Sequence, residues 1–243
     1  MNTNWIVRIG ISIALIVSLL NFQSCKTDEE ESVLSSQKAS EFNAEVPLEW
    51  YKLLVEIDRY APNYRPPAAA RMMGYVGLAG YEAIVNGMPN NRSLELQFPG
   101  LELPQIEQKE YYWPASANAA YAKMFRYFYP HVRNSDLSKI STLEVKFERD
   151  FSDKTTSDIL ERSAAFGEAI ADAIYEYSKS DVYGHEAYKD PRPASYSPPK
   201  IGSKGEKLWQ PTWPDFTPAL FPYWGKVKTF AMRTGDLTAK PPI

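Results

Sequence analysis

The 243-residue chain is poor in the residues that staple or metallate small proteins, with one cysteine, Cys25, and two histidines, His131 and His185. They are too few and too far apart for a zinc site or a disulfide framework, so any metal chemistry falls to carboxylates. Charge of one sign is also lacking: 27 basic residues face 30 acidic ones, net −3. With no extended basic surface, nucleic acid is excluded as the expected partner. The longest largely apolar run, Ile9 to Leu20, falls short of the roughly 18–20 residues that a membrane-spanning helix needs. A hydrophobic content of 44%, with 14% aromatic residues, is ample for a globular core.

Arg8 precedes the run Ile9–Leu20, and a basic residue before a short apolar stretch reads as a signal peptide over residues 1–24. Where it ends, Ser24-Cys25 resembles the lipobox of bacterial lipoproteins, although Gln23 stands where that pattern usually has a small residue. The resemblance implies cleavage after Ser24 and lipid attachment at Cys25, which anchors the chain to a membrane of the bacterial cell envelope. An outer-membrane lipoprotein is the implied location. The acidic run Asp28–Glu31 looks like the surface-export signal of some Gram-negative lipoproteins, and reads equally as part of a solvated tether over residues 25–45.

The chain is organised around residues 50–85. Trp50, Leu53, Leu54, Ile57 and Tyr60 repeat with helical spacing until Pro62 stops the helix. Pro66 and Pro67 suit the first turn of a second helix, on which Ala69, Met73, Val76, Gly77, Gly80 and Ile84 share a stripe. Glycine inside a helix costs about 1 kcal/mol relative to alanine, so Gly77 and Gly80 point to close backbone contact with a neighbour. Glu82 falls in this buried helix, and a salt bridge from Arg71 or another basic residue is the expected reason.

Residues 86–113 are broken by glycine and proline, and Leu94, Leu96, Phe98, Leu101 and Leu103 point to a loop packed along the helices. A third helix follows Pro114 and ends before Pro130, with Ala117, Tyr121, Met124, Phe125 and Phe128 inward. A fourth, Asp136–Phe151, is expected to be capped by Asn134 or Ser135 and to bury Leu137, Ile140 and Phe147. The fifth opens with T-x-x-D at Thr155–Asp158, approximating a capping box, and runs to about Lys179. Ile159, Phe166, Ile170, Ala173, Ile174 and Tyr177 lie inward on it; Glu161, Glu168, Asp172, Glu176 and Lys179 face water. The predicted fold is all-α, with about five main helices in a bundle over residues 46–180.

Beyond Asp181 the composition changes, with ten of the 19 prolines between Pro191 and Pro242. Trp209, Trp213, Phe216, Leu220, Phe221, Tyr223, Trp224 and Phe230 lie in the same stretch. Such an aromatic segment is expected to wrap a surface, inside or outside this chain, over residues 181–243.

Taken together, Arg65–Val85, Arg92–Leu101, Tyr111–Phe125, Phe166–Asp181 and Leu208–Met232 resemble, in order, the vanadium-dependent haloperoxidases of the type-2 phosphatidic acid phosphatase superfamily. The last stretch, with its W-x-P-T-x-P-x-F and P-x-W-G strings, is the most specific. The resemblance implies two helical bundles, with vanadate or phosphate held in the second by K-x₆-R-P, P-S-G-H and S-R-x₃-G-x-H. None of these motifs stands here: Arg65-Pro66 has Asp58 at the lysine position, and Arg192-Pro193 has His185. Gly184-His185 follows Val182-Tyr183 in place of proline and serine.

The chain thus reads as the N-terminal half of such a protein, with no catalytic, cofactor-binding or metal residue of its own. His131 and His185 are expected to be structural or solvent-facing. The expected partners are the membrane, through the lipid, and either a C-terminal bundle or a second copy docked on the tail. Two other readings stand beside it. One is a stand-alone surface lipoprotein that binds a partner or small ligand. The other is catalysis by Glu49, Glu56, Asp58 and Glu82, although Glu56 and Asp58 do not share a helix face.

Overall fold

Five helices and no sheet make up the architecture of residues 36–232, which are the residues the computed structural model describes. The helices are α1 (Glu45–Asp58), α2 (Pro66–Glu82), α3 (Trp113–Phe128), α4 (Asn134–Phe151) and α5 (Ser157–Lys179). The expected signal peptide, Cys25, the acidic run and the last eleven residues lie outside the described range. No helix among the described residues is long and apolar enough to cross a membrane.

The bundle is built around α3, which packs against each of the other four helices. Its small and aromatic residues are buried on every side: Ala115, Ala117, Ala119, Ala120 and Ala122 with Tyr121, Met124, Phe125 and Phe128. The expected inner face of α3 was therefore correct but too narrow. A helix whose first two turns are buried all round, with only Lys123 and Arg126 carrying charge beyond them, belongs at the centre of a bundle, and alanines let its neighbours come close.

On α1 four members of the expected stripe, Trp50, Leu53, Leu54 and Ile57, are buried, but the fifth, Tyr60, lies past the helix end and is 58% exposed. The Trp50 indole N–H donates to Asn118 Oδ1 at 2.9 Å, and Asn118 Nδ2 donates to the Glu144 carbonyl at 3.2 Å. One asparagine on α3 thereby ties α1 to α4. Pro62 closes the corner after α1, and the Tyr64 hydroxyl donates to the Phe128 carbonyl at 2.8 Å. Pro66 and Pro67 open α2 as expected, but its buried face is centred on Met72, Tyr75, Val76, Ala79 and Ala83. Met73 and Ile84 are only half-buried.

Three local expectations are corrected. Gly77 and Gly80 do not face a neighbouring backbone: a Cβ there would meet the hydroxyls of Tyr51 and Tyr121. The close backbone approach is at Gly167 on α5, where a Cβ would lie 2.0 Å from the Ser116 carbonyl oxygen of α3. Helix α4 starts at Asn134 with Arg133 before it, and α5 follows Thr156; neither start has a side-chain cap hydrogen bond. The T-x-x-D box is not formed.

Between α2 and α3 the chain packs as a loop over the helices, with Phe98 and Leu101 buried and Leu94 and Leu103 partly covered. Leu96 is the exception, 96% exposed. Residues 36–44, read as the end of the tether, are seated: Ser36 Oγ accepts from the Tyr111 N–H, and the Gln37 carbonyl accepts from the Trp113 indole.

Candidate functional site

The most elaborated polar cluster joins α2 to the C-terminal end of α5. Arg71 Nε donates to Asp181 Oδ2 at 2.8 Å and Arg71 Nη2 to the Ser178 carbonyl at 2.7 Å. Both side chains are almost fully buried, at 7% and 2% exposure. The guanidinium also lies over the Tyr75 ring, 4.7 Å from its centroid. Burial pushes the Tyr75 hydroxyl up to about 12. The second carboxylate oxygen of Asp181 accepts from the backbone N–H groups of Gly184 and Lys228, each at 3.2 Å.

Gly184 is needed here because a Cβ would stand 2.0 Å from Asp181 Oδ2 and 2.6 Å from Arg71 Nε. That accounts for the Gly184-His185 pair. The hub leaves little of the buried ion pair unsatisfied, which is what a buried charge requires. It fastens the tail to the bundle.

Both histidines are half-buried beside this hub. His131 is stacked between Tyr64 and Tyr188, and His185 Nδ1 lies 3.2 Å from Ser178 Oγ. Burial holds both imidazoles below their ordinary range, and for His185 the Arg71 charge adds to it.

The carboxylates considered for catalysis are dispersed. Glu49 pairs with Lys52 and Glu56 with Lys139, while Asp58 accepts from the Tyr129 hydroxyl at 3.2 Å. Glu82 is buried, but not on Arg71: its Oε1 accepts from the Leu94 backbone N–H at 2.7 Å. Burial still raises its carboxyl above the usual range. Among the described residues no three His, Cys, Asp or Glu side chains converge on a point where a metal ion could sit.

Nor do the described residues fit a vanadate or phosphate ion. An oxyanion needs cations with unspent donors, and the buried cation Arg71 is already neutralised by Asp181. An anion brought to it would face that carboxylate. Of the partly covered cations, Lys123 is spent on Glu168 and Asp172, Lys139 on Glu56 and Asp136, Lys146 on Asp150, and Arg162 donates to the Glu110 carbonyl. Arg65 and Arg192 are exposed, and Arg192 Nη1 donates to the Pro218 carbonyl at 2.9 Å.

The second candidate is a surface. The tail is anchored by few points: Phe221 is buried and its N–H donates to the Pro191 carbonyl at 2.8 Å. Phe230 packs edge-on to Tyr75 and Phe98. Between and before these anchors the large apolar groups stand in solvent: Trp213 at 80%, Phe216 at 60% and Trp209 at 54% exposure. Ile201, Leu220 and Tyr223 are also exposed. Isolated exposed apolar residues are ordinary, but several within one short segment make it the second candidate. The expected wrapping segment therefore wraps this chain only at its anchors.

Sequence reasoning missed Arg71 with Asp181, and Trp50 with Asn118. The partners of the first pair lie 110 positions apart and carry no local signal.

No protein-family description matches the chain, and no curated protein does. Among solved structures, a bacterial vanadium-dependent iodoperoxidase superposes with a TM-score of 0.57 at 22% identity. The alignment covers 75% of this chain and 41% of that one. The chain therefore shares a helical, haloperoxidase-like fold with that protein and spans well under half of its length.

Proposed function

We propose that this chain is the N-terminal scaffold of a membrane-anchored, vanadium haloperoxidase-like or phosphatase-like protein and performs no chemistry alone. Its task is to hold an apolar docking face, residues 201–223, against which a further helical part that bears the oxyanion motifs packs. Cys25 carries the lipid that fixes the assembly to the envelope. The observation that supports this best is the exposure of Trp209, Trp213 and Phe216 within one short segment, whereas the exposed apolar residues of the bundle, such as Leu48, Val55 and Val145, are scattered along its helices. The 41% share of the iodoperoxidase that the chain matches is consistent with a second part of similar size.

The reading is tested by sequencing the gene past the codon for Ile243 and measuring the size of the native protein. A frame that continues into K-x₆-R-P, P-S-G-H and a final histidine motif is expected. Halide oxidation with added vanadate should then appear in the full product and be absent from residues 25–243. A native protein that ends at Ile243 overturns the scaffold reading and leaves a stand-alone surface lipoprotein in its place.

A further inference from the structure

The chain's two histidines bear on one stretch, residues 181–192, which is also where the tail is fastened. His131 comes from the α3–α4 connection and lies between Tyr64 and Tyr188. The ring centroids are 5.3 and 4.6 Å away and the planes are tilted by 12° and 25°. Both ring nitrogens are buried without a well-formed hydrogen bond, and the Pro62 carbonyl offsets this only in part. His185 sits inside the stretch. Ser178 Oγ donates its hydrogen to the Tyr175 carbonyl at 2.7 Å, so it accepts from His185 Nδ1–H. The imidazole also packs on Tyr175.

The same stretch holds the tail through three bonds already described: Asp181 with the Lys228 N–H, Pro191 with the Phe221 N–H, and Arg192 with the Pro218 carbonyl. Tyr183 adds a contact with Tyr223. Whatever loosens residues 181–192 loosens the aromatic tail.

We propose that residues 181–192 form an acid-releasable latch, closed by neutral His131 and His185, that governs how the aromatic tail is held against the bundle. A proton on His131 would have to be buried between two tyrosine rings with no acceptor in good geometry, which is costly. Cations near the rings reinforce this: Lys189 from the stretch itself bears on both, and Arg71 from α2 and Lys179 from α5 bear on His185. Glu186 is the opposing carboxylate for His185, Asp181 is spent on Arg71, and Asp58 accepts from the Tyr129 hydroxyl.

The sign follows from the depressed imidazoles. Above the ordinary histidine value of about 6.5 both rings are neutral in either state and the latch is closed. As pH falls through that value, the released form takes up protons more readily than the closed one, and release is favoured until the closed-state values are passed. Each unit of depression is worth about tenfold in the ratio of open to closed. The latch holds for this chain whatever the tail binds, so it stands or falls apart from the proposed function.

Hydrogen exchange of the full chain at pH 7.5 and 5.0, corrected for the intrinsic rate, tests it. Peptides across 183–192 and 221–230 are expected to open about tenfold or more at the lower pH, with α3 unchanged. His131→Phe keeps the stack but cannot titrate and should lose most of this response; adding His185→Gln should remove the rest. A wild-type response of zero, or His131→Phe responding like the wild type, overturns the latch. If His131→Phe fails to fold by circular dichroism, the wild-type His131 resonance decides. A titration midpoint below 6.5 that coincides with opening sustains the proposal, and one at or above 6.5 ends it.

Discussion

The helical bundle and the tail both carry many large apolar residues but dispose of them differently. In the bundle Trp50, Phe125 and Met124 are fully covered, and the single indole N–H of Trp50 has its acceptor. In the tail Trp209, Trp213 and Phe216 are more exposed than covered, while Phe221 is buried. The difference teaches that composition alone does not decide burial; a segment also needs a repeating face that meets a partner. A helix provides one every three or four residues. The proline-broken tail provides none, so most of its large aromatics stay exposed.

Substitutions sharpen that contrast. Trp50→Ala should have the largest effect, about 3–5 kcal/mol of stability, because it opens a cavity and strips Asn118 of its donor. Chemical denaturation would show it, and a loss under about 1 kcal/mol would mean that the bundle core is not centred there. Arg71→Leu should come next, at about 3 kcal/mol, since it leaves Asp181 buried without its cation. Limited proteolysis within 185–220 should accelerate in the same variant, whereas cleavage in α4 should not. Gly167→Ala is expected to cost about 1–3 kcal/mol in thermal denaturation, as α3 and α5 are forced apart at Ser116. Trp213→Ala belongs at the bottom: within about 0.5 kcal/mol of wild type, because four-fifths of the side chain is already in water. A large loss there would dissolve the distinction between the two regions.

How much of this could be read beforehand follows the same division. The five helices and their proline stops were legible because periodicity and proline chemistry are local. The faces were legible to within a residue or two: α2 turned out centred on Met72 and Tyr75, one position from the expected stripe. What failed depended on how helices are rotated against one another. Gly77 and Gly80 looked like a close-packing signal, yet the backbone contact belongs to Gly167, whose neighbour Ser116 is remote in sequence. Glu82 was paired in expectation with a cation and in fact satisfies the Leu94 N–H of the following loop. The Arg71–Asp181 pair had no signal, because neither position is unusual until α2 and α5 are side by side. The expected caps at Asn134 or Ser135 and at Thr155 failed for a smaller reason: the chain enters both helices extended without turning a side-chain oxygen onto the first N–H groups.

The oxyanion chemistry that the resemblance implies has no seat among the described residues, and the reason is electrostatic. The one deeply buried cation is neutralised within the bundle, so the scaffold stands complete without an anion. The proposed scaffold role rests on the exposed aromatic residues of the tail.

The most direct test of that claim is hydrogen exchange across residues 209–220, measured in this chain and in the protein isolated at its native length. The account predicts fast exchange in this chain and at least about tenfold protection in the native protein, where the docked part covers the tail. Strong protection already present in this chain, or fast exchange in both, would contradict it.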